Sequence, residues 1–273
     1  MNKAVILAAG AGSRMRRSNG AGGSVALDPG QAAAADAGLK CLIPVPRPFL
    51  DYVLSGMADA GIEEVCLVIG PGGEAHPIRQ RYASLPTRRL SVRFAVQESP
   101  RGTADAVLAA ETFSAGGDFL LANADNYYPL VAYRALRALG EPGLPVFARE
   151  TLTRRGNVPA ERVGRYATLR IGADGYLETI AEKPGAAAVA RERGPVLVSM
   201  NLWRFSAGIF EACRRVPVSE RGERELPQAV QLGIDALGLR FRAVPCDEDV
   251  LDLSTRADVA PVERALAGVE VRL

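Results

Sequence analysis

Between Ala4 and Asp125 short apolar runs and helix-like stretches take turns. In order they are AVILAA, RPFLDYVLSGMADAG, EEVCLVIG, a polar helix candidate, SVRFAVQ, TADAVLAAETF and DFLLANAD. A continuous apolar run suits a strand buried on both faces, and the longer segments between runs supply helices to cover those faces. The alternation therefore predicts an α/β fold in three layers, α/β/α, around a mainly parallel mixed central sheet. Ligands in such folds sit at the carboxyl ends of the strands.

After about Leu144 the texture changes. LPVFARE, VGRYATLRI, GYLETIAEK and PVLVSMNLWRF are strand-like with little helix between them. Helices resume at AGIFEACRR and LPQAVQLGIDAL, and a strand LRFRAVP and a helix near TRADVAPVERALAG follow. With 273 residues, 48% of them hydrophobic, one elaborated domain can bury a large core. We expect a single domain over 1–273, divided by the change of texture into halves 1–143 and 144–273. No repeat points to a solenoid. One stretch, Arg16 to Gly38, is rich in Gly and Ala and breaks the pattern; it reads as a flexible loop flanking the site or as an inert insertion.

Charge and cysteines exclude several classes. Lys and Arg total 33 against 31 Asp and Glu, a net of +2, so no single-sign field argues for nucleic acid or an anionic membrane. Cys41, Cys66, Cys213 and Cys246 lack CxxC spacing, which suggests buried thiols in a reducing cytoplasm and not a zinc site or disulfide framework. No apolar run approaches the ~20 residues of a membrane helix. The opening apolar stretch is short and runs into Gly and Arg, unlike a secretion signal.

Lysine is rare. Only Lys3, Lys40 and Lys183 occur among the 33 basic residues, so each departs from the chain's usual arginine. A lysine is a compact point charge, suited to one phosphate oxygen in a narrow site. Lys40 precedes the apolar CLIPV, and Lys183 lies in AEKPG between an acid and a proline. The first strand ends in LAAGAGSRM, where Ala9, Gly10, Gly12 and Ser13 form a turn whose backbone N–H groups can approach phosphate and Arg14 adds charge. This turn is neither the dinucleotide fingerprint nor the P-loop. In QESPRGTADAV, Gln97 offers a donor and an acceptor to a base edge, Gly102 lets a base approach the backbone, and Thr103 opens a helix. Asp125 ends the apolar strand FLLANAD and Asp252 ends another in DVLDLST; two carboxylates of this kind suit Mg2+. The single histidine, His76, lies outside every motif.

In this order the pieces resemble the sugar-1-phosphate nucleotidyltransferases, or nucleoside-diphosphate-sugar pyrophosphorylases, from Ala4 to about Val259. The shared pattern is Gly10 to Arg14, Lys40 before CLIPV, Gln97 before GTADA, Asp125, Glu182-Lys183-Pro184, Asn201 in VSMNLW and Asp252 in DLST. The resemblance implies the Rossmann-like nucleotide-diphospho-sugar transferase fold, with residues 1–143 as its nucleotide-binding half and 144–273 as its sugar-binding half. It implies that Gln97, Gly102 and Thr103 recognise the nucleoside, and that Gly10 to Arg14 cradle a triphosphate with Lys40. Gly164 in VGRY, Glu182 and Asn201 would bind the sugar and Lys183 the sugar phosphate, while Asp125 and Asp252 would hold Mg2+. The implied partners are a nucleoside triphosphate and a sugar 1-phosphate, with homo-oligomerisation left open. Where the family has Gly before the metal aspartate, this chain has Ala124. No hexapeptide repeats, and so no left-handed β-helix, are expected.

GTA after Gln97 looks more like uridylyltransferases than thymidylyltransferases, which makes UTP the favoured substrate and dTTP the next. Two other readings compete. AAGAGSRM also fits cytidylyltransferases of the isoprenoid or sugar-acid type, and a non-catalytic nucleotide-sugar-binding regulator could keep the same fold.

Overall fold

The computed structural model describes residues 1–17, 26–154, 156–192 and 194–273. Its strands are β1 (Lys3–Leu7), β2 (Glu64–Ile69), β3 (Ser91–Val96), β4 (Phe119–Asn123), β5 (Asn126–Tyr127) and β6 (Gly143–Ala148), then β7 (Ala167–Ile171), β8 (Leu177–Ala181), β9 (Leu197–Ser199), β10 (Trp203–Phe205), β11 (Arg242–Cys246) and β12 (Leu251–Asp252). Its helices are α1 (Ser13–Arg16), α2 (Pro29–Ala37), α3 (Phe49–Asp59), α4 (Pro77–Ala83), α5 (Thr103–Ala109) and α6 (Glu111–Ser114), then α7 (Leu130–Ala138), α8 (Arg149–Arg154), α9 (Ala186–Arg191), α10 (Gly208–Arg215), α11 (Leu226–Leu237) and α12 (Val259–Leu266).

The main sheet runs β3-β2-β1-β4-β10-β6-β9-β7-β8, and β11 also pairs with β6. From β3 to β4 every pairing is parallel, with Val5 opposite both Cys66 and Leu121. At β10 the sheet turns antiparallel, placing Trp203 opposite Leu121. Both faces of the parallel part are covered, as its apolar strands require. Ala4 and Ile6 face the core beneath α3, α7 and α12, while Val5 faces the core shared with α5, α10 and α11. Among the described residues no helix is long and apolar enough to cross a membrane.

β10 is three residues long, too short for ladder hydrogen bonds alone to hold the parallel-to-antiparallel seam. Aromatic packing does that. Phe119 of β4 meets Phe205 of β10 edge to face at 6.2 Å across the seam and stacks on Phe210 of α10 at 5.5 Å. Each such ring, fully buried, contributes about 1.5–3 kcal/mol.

Two sequence expectations need correction. PVLVSMNLWRF is not one strand, because Asn201 takes a left-handed φ of 59° and splits it into β9 and β10, which lie on opposite sides of β6, β9 also pairing with β7 and β10 with β4. The Arg16 to Gly38 stretch is not simply a loop, because Pro29–Ala37 is helical. Asp28 and Gln31 form a capping box there, Pro29 opens the first turn, and Gly38 closes the last at φ 75°. Residues 18–25 of that stretch lie outside the described residues.

Candidate active site

The turn after β1 is pressed against the end of α2. A Cβ on Gly12, whose φ is 62°, would stand 2.2 Å from the Gly38 carbonyl oxygen, so only glycine permits this approach. The N–H groups of Gly10, Gly12 and Ser13 have no protein acceptor among the described residues. The same contact brings Lys40, two residues beyond Gly38, to the sheet's carboxyl edge, where its ammonium pairs with Asp125. The insertion thus lengthens the chain between Arg14 and Lys40 while its ends stay in contact.

A two-stranded sheet brings the distant carboxylates together. β12 pairs antiparallel with β5, setting Asp252 opposite Asn126, and Leu253 N–H donates to the Asp125 carbonyl at 2.9 Å. Asp252 is 2% exposed. Its Oδ1 accepts from Asn126 Nδ2 at 3.1 Å and Ser254 Oγ at 3.0 Å; its Oδ2 accepts from Arg162 Nη1 at 3.0 Å and the Tyr166 hydroxyl at 2.9 Å. Burial pushes its pKa up, the charge of Asp125 pushes it further, and Arg162 and Ser254 work against both. Arg162 also grips Asp258 through two bonds of 3.0 and 2.8 Å. Burial opposes the Arg162 charge, but Asp258 and Asp252 outweigh it and raise its pKa.

One polar cavity of about 220 Å³ lies at these strand ends, and Arg14, Thr103, Asp125, Glu182, Lys183, Asn201 and Asp252 all line it. A small adjoining cavity is lined by Gly10, Lys40, Ala124 and again Asp125. Lys183 and Asn201 are two of only three non-glycine residues with positive φ among those described, at 46° and 59°. Such a conformation costs an ordinary L-residue about 1–2 kcal/mol, and strain of that kind gathers where side chains must be aimed. Pro184 restricts Lys183 further. Asn201 is held at both ends of its amide: Nδ2 donates to Asn123 at 2.7 Å and Oδ1 accepts from Trp203 Nε1 at 3.0 Å.

Glu182 pairs with Lys183 at 2.9 Å and with Arg221 at 3.4 Å. Burial raises its pKa, Lys183 opposes the rise, and neighbouring Glu225 adds to it. Glu225 is 2% exposed and paired with Arg221 through one oxygen, and its Oε2 has no hydrogen-bond donor among the described residues.

Gly164, Ala9, Gly12, Ser13, Gln97 and Gly102 line neither cavity. Gly164 is packed behind the wall: a Cβ there would lie 2.5 Å from the Gly185 carbonyl carbon, and its oxygen accepts the Gly185 N–H at 3.0 Å. It shapes the segment carrying Lys183, whereas Arg165, Tyr166 and Ala167 form the wall itself. Gly102 has φ 106°, and its missing side chain makes room for the Arg224 backbone, 2.3 Å from where a Cβ would stand. Thr103 does not cap α5, since Gly102 holds that position; its hydroxyl accepts the Leu226 N–H at 2.8 Å. Gln97 is buried against the same turn. The Ala124 methyl is sunk in the core. His76 lines neither cavity and caps α4 by accepting the Ile78 N–H at 3.3 Å.

Arg162, Arg165, Tyr166, Arg221 and Glu225 escaped the sequence analysis. In a chain whose ordinary cation is arginine, one more arginine carries no signal. The donor set fits a magnesium ion, which takes one or two carboxylates and fills its remaining positions with water and phosphate oxygens. Asp125 Oδ1 has no protein partner among the described residues. Asp252 has all four lone-pair directions engaged and becomes a direct ligand only by exchanging one of its donors.

The model of the nucleotidyl transferase family matches residues 39–244. A glucose-1-phosphate thymidylyltransferase of Actinoplanes sp. is 29% identical over 260 residues, covering 94% of this chain and 75% of that protein. A UTP–glucose-1-phosphate uridylyltransferase of Haloferax volcanii is 27% identical, covering 97% and 96%. Against several other curated relatives the chain spans only 50% to 66% of their length. Among solved structures, a UDP-glucose pyrophosphorylase complexed with UDP-glucose superimposes with a TM-score of 0.74 at 15% identity, covering 99% of this chain and 100% of the other.

Proposed function

The chain belongs to the nucleotidyl transferase family, the sugar-1-phosphate nucleotidyltransferases, and on that premise we propose that it joins UTP, in preference to dTTP, to a sugar 1-phosphate. In this reading a phosphate oxygen of the sugar 1-phosphate attacks the α-phosphorus in line. The bond to the β-phosphate oxygen breaks, and pyrophosphate leaves as the nucleoside-diphosphate sugar forms. The attacking oxygen is already anionic, so no general base is required. The protein's task is to hold two mutually repelling anions in line and to offset charge at the α-phosphate.

Arg14, Lys40 and the Gly10 to Ser13 turn take the triphosphate, and Gln97, Gly102 and Thr103 the nucleoside. Lys183 holds the sugar phosphate, Glu182 and Asn201 the sugar hydroxyls, and Gly164 supports the Lys183 segment. Mg2+, carried by Asp125 and Asp252, supplies Lewis-acid neutralisation at the α-phosphate when bound. The four free buried thiols accord with a cytoplasmic setting.

The observation that carries the proposal is the convergence of Arg14, Asp125, Lys183, Asn201 and Asp252 on one cavity from elements far apart in the chain. The test is Mg2+-dependent pyrophosphate release across UTP, dTTP, CTP, GTP and ATP, each against common sugar 1-phosphates. Release that needs both substrates and is fastest with UTP is expected, and Asp125→Asn should abolish it. Nucleotide binding without release on any pairing would favour the regulatory alternative.

A further inference from the structure

Gln97 follows β3 directly and is 6% exposed, with its backbone N–H held by the Ile69 carbonyl at 2.8 Å. A carboxamide presents two donors at one end and an acceptor at the other, and its neighbours decide which way it faces. Here they leave no choice. Nε2 lies 2.9 Å from the Gly102 carbonyl oxygen and 3.0 Å from Asp105 Oδ2. A carbonyl and a carboxylate both only accept, so the turned-over amide would set its oxygen against two others. The Asp105 carboxylate, on the first turn of α5, has Gln97 as its one hydrogen-bond partner among the described residues. Gln97 Oε1, in contrast, has no protein partner among the described residues, although Gln97 as a whole is almost wholly buried. The neighbouring Gly102 N–H is likewise unpaired among the described residues.

We propose that Asp105 is a positioning residue for nucleobase choice: it fixes the Gln97 amide with its oxygen outward, so that the site accepts a base carrying a ring N–H. Uracil and thymine present such a donor at N3, and guanine at N1. Cytosine and adenine present a lone pair at the matching ring nitrogen and would face Oε1 acceptor to acceptor. A site built around one fixed acceptor discriminates strongly, because the wrong base meets that acceptor with a lone pair and leaves it unpaired.

The inference rests on the reading of Gln97 as a base-recognising residue, but its test does not need turnover. Dissociation constants for UTP, dTTP, GTP and CTP are measured with Mg2+ and without sugar phosphate, for the wild type, Asp105→Asn, Gln97→Ala and the double variant. The wild type should bind UTP more tightly than CTP. Asp105→Asn can donate to Gln97 and tolerate the turned amide, so the CTP-to-UTP ratio of dissociation constants should fall about tenfold, the scale of one hydrogen bond to a charged group. In the Gln97→Ala background the Asp105 change should leave the ratio where it is. A purely structural role for Asp105 would lower the melting temperature and leave the ratio intact, which overturns the inference. So would an equal effect of Asp105→Asn with Gln97 absent, and so would a wild type that prefers CTP. Tightest binding of GTP would instead overturn the UTP preference while supporting the role of Asp105.

Discussion

Replacing Arg162 by methionine tests the electrostatic frame of the site. The guanidinium is 9% exposed and lies between Asp252 and Asp258, with one bond of 3.0 Å to the first and two, of 3.0 and 2.8 Å, to the second. Methionine fills much of the same volume but leaves two buried carboxylates without their common countercharge. Breaking a buried pair in this way costs about 3–5 kcal/mol. Asp252 would keep Asn126, Tyr166 and Ser254 as donors, and Asp258 the N–H groups of Ser254 and Thr255 and the Thr255 hydroxyl. Those remaining bonds favour the lower end, about 3 kcal/mol. For a chain of this size each kcal/mol lowers the melting temperature by about 2–4 °C, so a fall of about 10 °C is expected. Urea unfolding gives the free energy and scanning calorimetry the temperature. The control is Arg170→Met, which removes an exposed 3.5 Å pair with Glu178 and should cost no more than about 1 kcal/mol. Arg162→Lys, which keeps the charge and loses the fork, should fall between the two. An Arg162→Met loss no larger than the control's would refute the reasoning.

Three further outcomes follow from the same geometry. Lys183→Arg keeps the charge but not the compact head, and should lower kcat/KM for the sugar 1-phosphate about 100-fold, the scale of one lost transition-state contact; unchanged UTP binding by calorimetry would localise the defect. Gly164→Ala drives a methyl into the Gly185 backbone 2.5 Å away and should cost about 1–3 kcal/mol in urea unfolding. Glu182 has a pKa raised by burial, so the folded protein holds its proton to higher pH than the unfolded chain does, and stability drains away as pH rises from about 4.5 through the raised value. Glu182→Gln should flatten that slope when melting temperature is followed against pH, and an unaltered slope would assign it to other groups.

What could be read from residues in order was the part governed by local chemistry. The apolar runs forecast β1 to β4, because strands covered on both faces must be apolar throughout. Lys40 and Lys183 stood out as rare lysines and Asp125 as a carboxylate at a predictable strand end, whereas Asn201 was marked only by the family resemblance. The α2 helix was missed although its signals were present, since Asp28, Pro29 and Gln31 are start signals and alanine is the best helix former. An alanine run has no apolar period, so hydrophobic patterning does not mark it as a helix. The split between β9 and β10 could not be foreseen, because a left-handed asparagine looks like any asparagine until its amide partners, Asn123 and Trp203, are known.

The sequence alone therefore determined the layered α/β plan and most of the chemical groups offered to a ligand, because both depend on residue type and short-range spacing. Tertiary structure decided how those groups are paired and aimed. The β5–β12 contact joins residues 126 positions apart, Arg162 acquires its meaning from Asp252 and Asp258, and the Gln97 amide is oriented by acceptors on the following turn. Hydrogen bonds and buried charges act over a few ångströms in space, and separation along the chain does not predict which groups will share that distance.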